Sequence, residues 1–302
     1  MWGVHLRFRR RHYLLIAALI LAVLAIMQLS YKPEQYFIDK EGRAHYPANR
    51  GAIGSKESPF SEDSNYSIQI ITFNSNGTTV YSKLWIPNGP QIHPAIIFLP
   101  GAGGTKDAGK DYAEIFKGSG IAIMAIDQRG FGETKAQVTE SLEDEYASFL
   151  DGREPFGVLM AYDAIRAFDY LASREDIDAS KIAAIGESLG GRNAIIATAM
   201  EPRIKMVIGI STGGYGLPSA NNPNATRFLR SFDPDNYITS ISPRRAVIFH
   251  SENDNLQPFE IGLRTYNFAK EPKAFYRATC ASHGLCEEMK PLVLKEITEA
   301  LK

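Results

Sequence analysis

The sequence predicts an α/β fold with a mostly parallel central sheet flanked by helices, preceded by an N-terminal transmembrane helix. Beyond residue 67, short apolar strand-like runs alternate with helical runs, which is typical of βαβ units. One strand-to-helix junction carries Gly186-Glu187-Ser188-Leu189-Gly190. Near the N-terminus, fourteen consecutive nonpolar residues follow a group of arginines.

The composition of the 302-residue chain excludes several classes of protein. Apolar residues make up 44% and charged residues 22%, which is ordinary for a globular protein and argues against disorder or fibrous repeats. The net charge of −1 argues against nucleic acid as a partner. Two cysteines are too few for a disulfide scaffold or a four-cysteine zinc site, and we expect no cofactor.

Residues 1–31 are predicted to be a basic cytoplasmic tail followed by a membrane signal anchor. Arg7, Arg9, Arg10 and Arg11 precede the nonpolar run, and the segment has no acidic residue. Extended to Tyr31, the run would form a helix roughly 28 Å long, near the hydrocarbon thickness of a bilayer. We therefore expect residues 13–31 to contact the lipid bilayer and the rest of the chain to lie outside the cytoplasm.

A cleaved signal peptide is the alternative to the anchor. The fourteen-residue core is short enough for one, but residues 28–31 are bulky or polar where a cleavage site needs small side chains. Both interpretations place the remainder outside the cytoplasm, secreted if cleavage occurs. Residues 32–66, rich in Pro, Gly and Ser, are predicted to form an extracytoplasmic tether, and residues 67–302 the catalytic domain.

The catalytic domain is predicted to begin with an antiparallel hairpin. Residues 67–73 and 78–86 are β-rich and flank Asn76-Gly77, a strong hairpin signal. The elements that follow alternate between strand and helix, as expected for a parallel sheet. The further predicted strands are residues 95–99, 121–127, 181–186, 206–211, 246–250 and 273–278, and the predicted helices are residues 111–117, 157–173, 189–200, 259–269 and 287–301.

Ser188 is the candidate nucleophile. It lies between a strand and a helix, where a tight turn strains the serine backbone and exposes its hydroxyl. Gly186 and Gly190 are required because side chains there would collide where the strand and the helix pack closely. The alternative is a serine that merely caps an ordinary helix.

A serine nucleophile needs a base and an acid, which in this arrangement follow it in the order acid, then histidine. Of the two downstream histidines, His250 ends a strand, so we interpret it as structural. His283 lies between the last strand and the last helix and is the predicted base. Asp254 is the predicted acid, with Glu252 as the second candidate.

An oxyanion hole needs two backbone donors near the nucleophile. The N–H of Leu189 is one candidate, and the N–H of Ala102 in Pro100-Gly101-Ala102-Gly103-Gly104 is the other. A plain glycine turn is the alternative interpretation of residues 100–104. A phosphate-binding loop is disfavoured because no Gly-Lys-Ser/Thr follows.

These motifs resemble the α/β-hydrolase superfamily across residues 67–301. Gly186-Glu187-Ser188-Leu189-Gly190-Gly191 looks like the branch with dienelactone-hydrolase-like, acetyl-xylan-esterase-like and prolyl-oligopeptidase-like catalytic domains. The resemblance implies the α/β-hydrolase fold and a Ser-His-Asp triad, and it gives Arg129 a structural role. The chain departs from its relatives in Pro100-Gly101, where many have His-Gly, and in Ser188, where dienelactone hydrolases have cysteine. The remaining matching segments are residues 99–104, 127–132, 250–254 and 282–284.

Cys280 and Cys286 flank His283 symmetrically. In an oxidising compartment they could form a disulfide that closes a short loop around the base. Two unpaired thiols are the alternative. A Cys-His-Cys metal site is disfavoured because a fourth ligand is missing.

The function predicted from these features is that of a membrane-anchored serine hydrolase that cleaves carboxylic esters through an acyl-enzyme intermediate. The expected partner is a small-molecule ester or acyl substrate. A serine peptidase or an acyltransferase with the same triad is the alternative within enzymes. A non-catalytic surface binding protein on a hydrolase scaffold is the alternative from another class.

Overall fold

The predicted anchor falls almost entirely outside the part of the chain that the structure describes. The computed structural model describes residues 13, 16–17, 36–136, 141–217, 220 and 222–302. None of the helices formed by these residues combines the length and the nonpolar composition that a membrane span requires. The anchor over residues 1–31, of which only three positions are described, stays a prediction.

The chain divides into two compact units. The larger unit contains residues 37–45 and 50–302, which include every residue of the predicted catalytic site. The smaller unit contains residues 1–36 and 46–49. Within it, the ring centroids of Tyr36 and Tyr46 lie 4.9 Å apart.

The described part of the larger unit contains the strands β1 (Phe37–Ile38), β2 (Ala44–His45), β3 (Ser55–Glu62), β4 (Tyr66–Ser75), β5 (Thr78–Pro87), β6 (His93–Leu99), β7 (Ala122–Ile126), β8 (Ile177–Glu187), β9 (Met206–Ile210), β10 (Arg245–Ser251) and β11 (Lys273–Ala278). Nine of them form one sheet in the order β11-β10-β9-β8-β6-β7-β5-β4-β3. The pairs from β11 through to β7 are parallel, and the pairs from β7 to β3 are antiparallel. This confirms the mostly parallel central sheet. The two remaining strands, β1 and β2, form a separate antiparallel ribbon.

The central strands are short runs of apolar residues because both of their faces are covered. Every residue of β7 and β9 is buried, as are all but one in β6. A strand between two helical layers cannot alternate apolar and polar side chains, since each face packs against a core. The unbroken apolar runs in the sequence were therefore reliable signals of parallel strands.

The sequence predicted no strand within residues 32–66, but β1, β2 and β3 lie there, and β3 forms the edge of the sheet. All eight side chains of β3 are exposed, so the strand has no apolar alternation by which a sequence pattern could reveal it. Pro59 lies within it, next to a register irregularity between Pro59 and Ser61. Proline is tolerated on an edge strand because its missing N–H need not pair. The expectation of irregular structure across residues 32–66 is therefore wrong for residues 37–38, 44–45 and 55–62.

Helices cover both faces of the sheet, as expected. One layer contains α3 (Phe156–Ala172) and α4 (Leu189–Met200), and the other contains α1 (Gly109–Ile115) and α7 (Lys290–Ala300). The acidic segment 141–151 and the polar segment 223–231 form helices that the sequence did not predict, because each buries only two side chains or fewer. The helices are α1 (Gly109–Ile115), α2 (Leu142–Leu150), α3 (Phe156–Ala172), α4 (Leu189–Met200), α5 (Pro223–Ser231), α6 (Phe259–Phe268) and α7 (Lys290–Ala300).

Arg129 is buried and braces the loop after β7. Its Nε and Nη2 donate to the two carboxylate oxygens of Asp163 at 2.9 and 2.7 Å, and Nη2 also donates to Ser75 O at 2.7 Å. A buried guanidinium is stable only when its donors are paired in this way. The structural role expected for Arg129 is confirmed.

Candidate active site

Ser188 lies on a strained turn between β8 and α4. Its backbone has φ 51° and ψ −116°, a region that residues with a side chain rarely adopt. A Cβ on Gly186 would come within 2.2 Å of Gly190 O, and one on Gly190 within 2.0 Å of Leu99 O. Both positions therefore require glycine, and the tight strand-to-helix turn predicted from the motif is present.

The candidate residues follow the carboxyl ends of neighbouring parallel strands. Residues 100–104 follow β6, Ser188 follows β8, Asp254 follows β10 and His283 follows β11. Because these ends meet at one edge of the sheet, the loops that carry the candidates converge there.

Asp254 and His283 are in direct contact. His283 Nδ1 lies 2.9 Å from each carboxylate oxygen of Asp254, whose side chain is 0% exposed. The alternative acid, Glu252, instead forms an ion pair with Arg277. With a carboxylate at Nδ1, the proton of a neutral imidazole is held there, and Nε2 is left free to accept a proton.

The Asp254 carboxyl is held in its ionised form. Burial by itself raises the pKa of this carboxyl, but hydrogen bonds outweigh burial and lower the pKa below its usual value. The N–H groups of Gln257 and Leu256 each donate to Asp254 Oδ1 at 2.9 Å. An ionised Asp254 can therefore stabilise a positive charge on His283.

Ser188 and His283 are not joined by a side-chain hydrogen bond within the described residues. The loop of residues 279–289, which carries His283 and is called the base loop below, instead lies against the residue before the nucleophile. A Cβ added to Gly284 would lie 2.7 Å from Glu187 Oε2. The base loop is therefore next to the serine turn. A hydrogen bond between a catalytic serine and its histidine often forms fully only when substrate binds.

The predicted oxyanion loop packs on the nucleophile. A Cβ on Gly101 would lie 3.5 Å from Ser188 Cβ, and Gly104 N donates to Gly101 O at 3.0 Å. Ala102 is exposed, and its N–H has no hydrogen-bond acceptor in the described part of the chain. Leu189 is the first residue of α4, where N–H groups lack partners within the helix. Both amides are thus available to a ligand.

Two buried amide side chains tie the oxyanion loop to α4. Gln128 Nε2 donates to Pro100 O at 2.5 Å, and Asn193 Nδ2 donates to Gln128 Oε1 at 2.6 Å. Gln128 is 1% exposed and Asn193 is 3% exposed. Neither role could be predicted from the sequence, because nothing in the local pattern shows that these side chains meet.

Ser211 is a further residue of the site that the sequence analysis missed. It is fully buried, with φ 48°, immediately after β9. Its Oγ accepts the Gly284 N–H at 3.0 Å, and its hydrogen bond to the Asp254 carboxylate helps to lower the pKa of that group. Ser211 therefore connects the acid to the base loop.

We expect Ser211→Ala to lower kcat/KM for a p-nitrophenyl ester by about 10- to 100-fold, because the Asp254–His283 pair loses a brace. The free energy of unfolding should fall by about 1–3 kcal/mol, since the Gly284 N–H loses its acceptor. Ester kinetics and urea unfolding measure the two effects. The matched control is Ser180→Ala, which removes an exposed hydroxyl 2.7 Å from Asp178 and should change neither quantity appreciably. Wild-type kinetics for Ser211→Ala would contradict the assigned role.

His250 is a structural residue, as expected. It is fully buried, and Nε2 bonds to Gln257 O at 3.0 Å. It therefore supports the segment whose Gln257 N–H holds the Asp254 carboxylate.

Cys280 and Cys286 form the disulfide that was expected, with their Cα atoms 6.6 Å apart. In the described part of the chain, these two sulfurs and a Glu288 carboxylate oxygen form the one cluster of potential metal ligands, all within 4.8 Å. Since both sulfurs are committed to the disulfide, the cluster does not offer a metal site. The disulfide closes the base loop around His283.

Comparisons with known proteins relate the chain to esterases. Residues 56–211 match the family described as Acetyl xylan esterase (AXE1), a range that includes the oxyanion loop and Ser188 and ends before Asp254. The acetyl xylan esterase of Paenibacillus sp. R4 has a TM-score of 0.72 at 20% identity, over 84% of this chain and 90% of that one. Acetyl Xylan Esterase 1 of Thermoanaerobacterium sp. JW/SL YS485 has a TM-score of 0.68 at 16% identity, over 83% and 89%.

A curated relative shows similarity at the level of sequence. "Putative hydrolase YtaP" of Bacillus subtilis is 31% identical over 191 residues, which cover 55% of this chain and 62% of that protein. The aligned region thus spans less than two thirds of that relative. The structural neighbours establish an α/β-hydrolase fold, and the family match takes in more than half of the sequence. The chain belongs to the acetyl xylan esterase family.

Proposed function

We propose that this protein hydrolyses carboxylic esters with Ser188 as nucleophile, His283 as base and Asp254 as acid. The observation that carries the proposal is the contact of His283 Nδ1 with the buried Asp254 carboxylate at 2.9 Å, on the sheet edge where Ser188 lies. The strained turn at Ser188 supports it, because strain of this kind persists where function requires it. Membership of an esterase family supports the ester bond as the target.

In the proposed first half-reaction, Ser188 Oγ attacks the ester carbonyl carbon while its proton passes to His283 Nε2. The carbonyl oxygen becomes negative and is stabilised by the N–H groups of Ala102 and Leu189. The Asp254 carboxylate holds the imidazole in the required tautomer and stabilises its positive charge. When the tetrahedral intermediate collapses, the alcohol leaves with the proton from His283, and an acyl group stays on Ser188.

In the second half-reaction, water attacks the acyl carbon and gives a proton to His283. The same two N–H groups stabilise the second tetrahedral intermediate. Collapse releases the carboxylic acid and returns the proton to Ser188. We propose acetyl esters as the substrates, because the family and its structural neighbours are described as acetyl xylan esterases.

The proposed function is tested with a fluorophosphonate probe and a substrate panel. We expect covalent labelling at Ser188, located by peptide mass mapping, and faster hydrolysis of p-nitrophenyl acetate than of the octanoate, a thioester or a peptide p-nitroanilide. Heat-unfolded protein is the control for labelling. Absence of labelling in folded protein would contradict the proposal, and preferred cleavage of the anilide would indicate a peptidase.

We also propose that residues 13–31 hold this enzyme in a lipid bilayer, with the catalytic domain outside the cytoplasm. The basic cluster before the apolar run supports the orientation, and the disulfide between Cys280 and Cys286 is typical of an oxidising compartment. Full-length protein should stay in the membrane pellet after alkaline carbonate extraction, and a variant without residues 1–31 should not. A mature N-terminus near Tyr31 would contradict anchoring and indicate cleavage.

A further inference from the structure

We propose that Glu187, the residue before the nucleophile, is a positioning residue that fixes the base loop and places a negative charge beside the imidazole of His283. The inference rests on the proposed function, in which His283 is the base. Glu187 occupies the variable position of the Gly-x-Ser-x-Gly motif, a position that the strained turn itself leaves free. The turn therefore does not dictate which side chain stands at this position.

The Glu187 carboxylate connects three parts of the fold. Tyr112 on α1 is 1% exposed and donates its hydroxyl hydrogen to Glu187 Oε1 at 2.6 Å. The Leu285 N–H on the base loop acts on the same carboxylate and lowers its pKa. A Cβ on Gly284 would lie 2.7 Å from Oε2, so the backbone next to His283 packs closely on it. The serine turn, α1 and the base loop thus meet at one side chain.

Charged and titratable groups reach Glu187 from two directions. On α1 these are Tyr112 and Asp111, and on the base loop it is His283. Burial raises the pKa of Glu187, Asp111 adds to that effect, and the Tyr112 and Leu285 donors and His283 oppose it. The balance leaves the pKa of Glu187 above its usual value, with burial as the largest cause, and the Tyr112 hydroxyl favours the ionised form in which Glu187 carries its negative charge.

The consequence concerns the protonated form of His283. When His283 takes the serine proton, its imidazolium contacts Asp254 through Nδ1 and interacts electrostatically with Glu187, whose Oε2 lies against the neighbouring Gly284. A negative neighbour favours the charged imidazolium. Removing that charge while keeping the shape should therefore let the imidazole stay neutral, and the enzyme active, at lower pH.

The test compares Glu187→Gln with Glu187→Ala. Gln keeps an oxygen acceptor for the Leu285 N–H but has no charge, so we expect the acid limb of the kcat/KM profile to move to lower pH by about 0.5–1 unit. At pH 8, kcat/KM should stay within about threefold of the wild type. Ala also removes the acceptor, so the base loop loses its attachment and kcat/KM should fall by about 10- to 100-fold at every pH.

The matched control is Glu114→Gln, on the same helix as Tyr112. The Glu114 side chain is 65% exposed and faces Lys117, so losing its charge should leave the acid limb in place. Tyr112→Phe is a second test of the interaction between Tyr112 and Glu187, because it removes the hydroxyl donor that favours ionised Glu187. It should move the limb in the same direction as Glu187→Gln, by a smaller amount.

An NMR titration of histidine-labelled Ser188→Ala protein, with and without Glu187→Gln, separates this inference from the proposed function. It follows the His283 ring without turnover, and we expect the protonation midpoint to fall in the double variant. Equal midpoints and equal acid limbs in Glu187→Gln and the wild type would overturn the role of Glu187. Undiminished turnover by Ser188→Ala alone would overturn the proposed triad instead.

Discussion

Replacing Ser188 with alanine is expected to lower kcat for p-nitrophenyl acetate by about 10⁴- to 10⁶-fold. The proposed mechanism has no acyl-enzyme without the Ser188 hydroxyl, and the residual rate then comes only from the oxyanion donors and substrate binding. Steady-state kinetics with active-site titration of the wild type measures the loss.

Asp254→Asn should lower kcat by about 10⁴-fold, since a neutral amide at His283 Nδ1 neither fixes the tautomer nor stabilises the imidazolium.

Stability measurements show whether the loss of activity in Ser188→Ala comes from the missing hydroxyl or from a damaged fold. Ser188 has φ 51° and ψ −116°, and alanine keeps the Cβ that makes this conformation costly. Ser188→Ala should therefore melt close to the wild type. Ser188→Gly should be more stable by about 1 kcal/mol, because glycine adopts positive φ freely. Activity in Ser188→Ala above about 10% of the wild type would show that another residue carries the chemistry.

The serine turn could be predicted because its constraint is local. Gly186, Ser188 and Gly190 lie within five residues, and their requirement follows from one close approach of a strand to a helix. The choice between Asp254 and Glu252 needed the fold as well. Both acids follow the same strand, and only the structure shows Glu252 turned towards Arg277 while Asp254 meets His283.

The supports of the site could not be predicted, because each joins distant parts of the chain. Glu187 meets Tyr112 across 75 residues, and Ser211 meets Gly284 across 73. A hydroxyl or carboxylate in such a bond leaves no periodic or spacing signal. The same reason explains the edge strand β3, whose exposed side chains carry no alternation while its backbone pairs with β4. Local sterics and apolar periodicity are readable in one sequence, whereas polar contacts between loops are not.

Gly190→Ala is expected to lower the free energy of unfolding by at least about 3 kcal/mol, the second large effect. The added Cβ would lie 2.0 Å from Leu99 O and 2.5 Å from Pro100 O. These are backbone atoms of β6 and the oxyanion loop, so they cannot move aside as a flexible side chain could. Thermal and urea unfolding should show the loss as a Tm lower by roughly 6 °C or more.

The control for Gly190→Ala is Gly118→Ala, which separates overlap from backbone strain. Gly118 has φ +78° and nothing within 4 Å of an added Cβ, so alanine there costs only the left-handed conformation, about 1–2 kcal/mol. Gly190 lacks a positive φ, so its cost comes from overlap alone. Because that overlap pushes the oxyanion loop away from Ser188, Gly190→Ala should also lose ester turnover, whereas Gly118→Ala should keep it. If Gly190→Ala and Gly118→Ala unfold at the same urea concentration, close packing of the serine turn against β6 is not the reason that position 190 requires glycine.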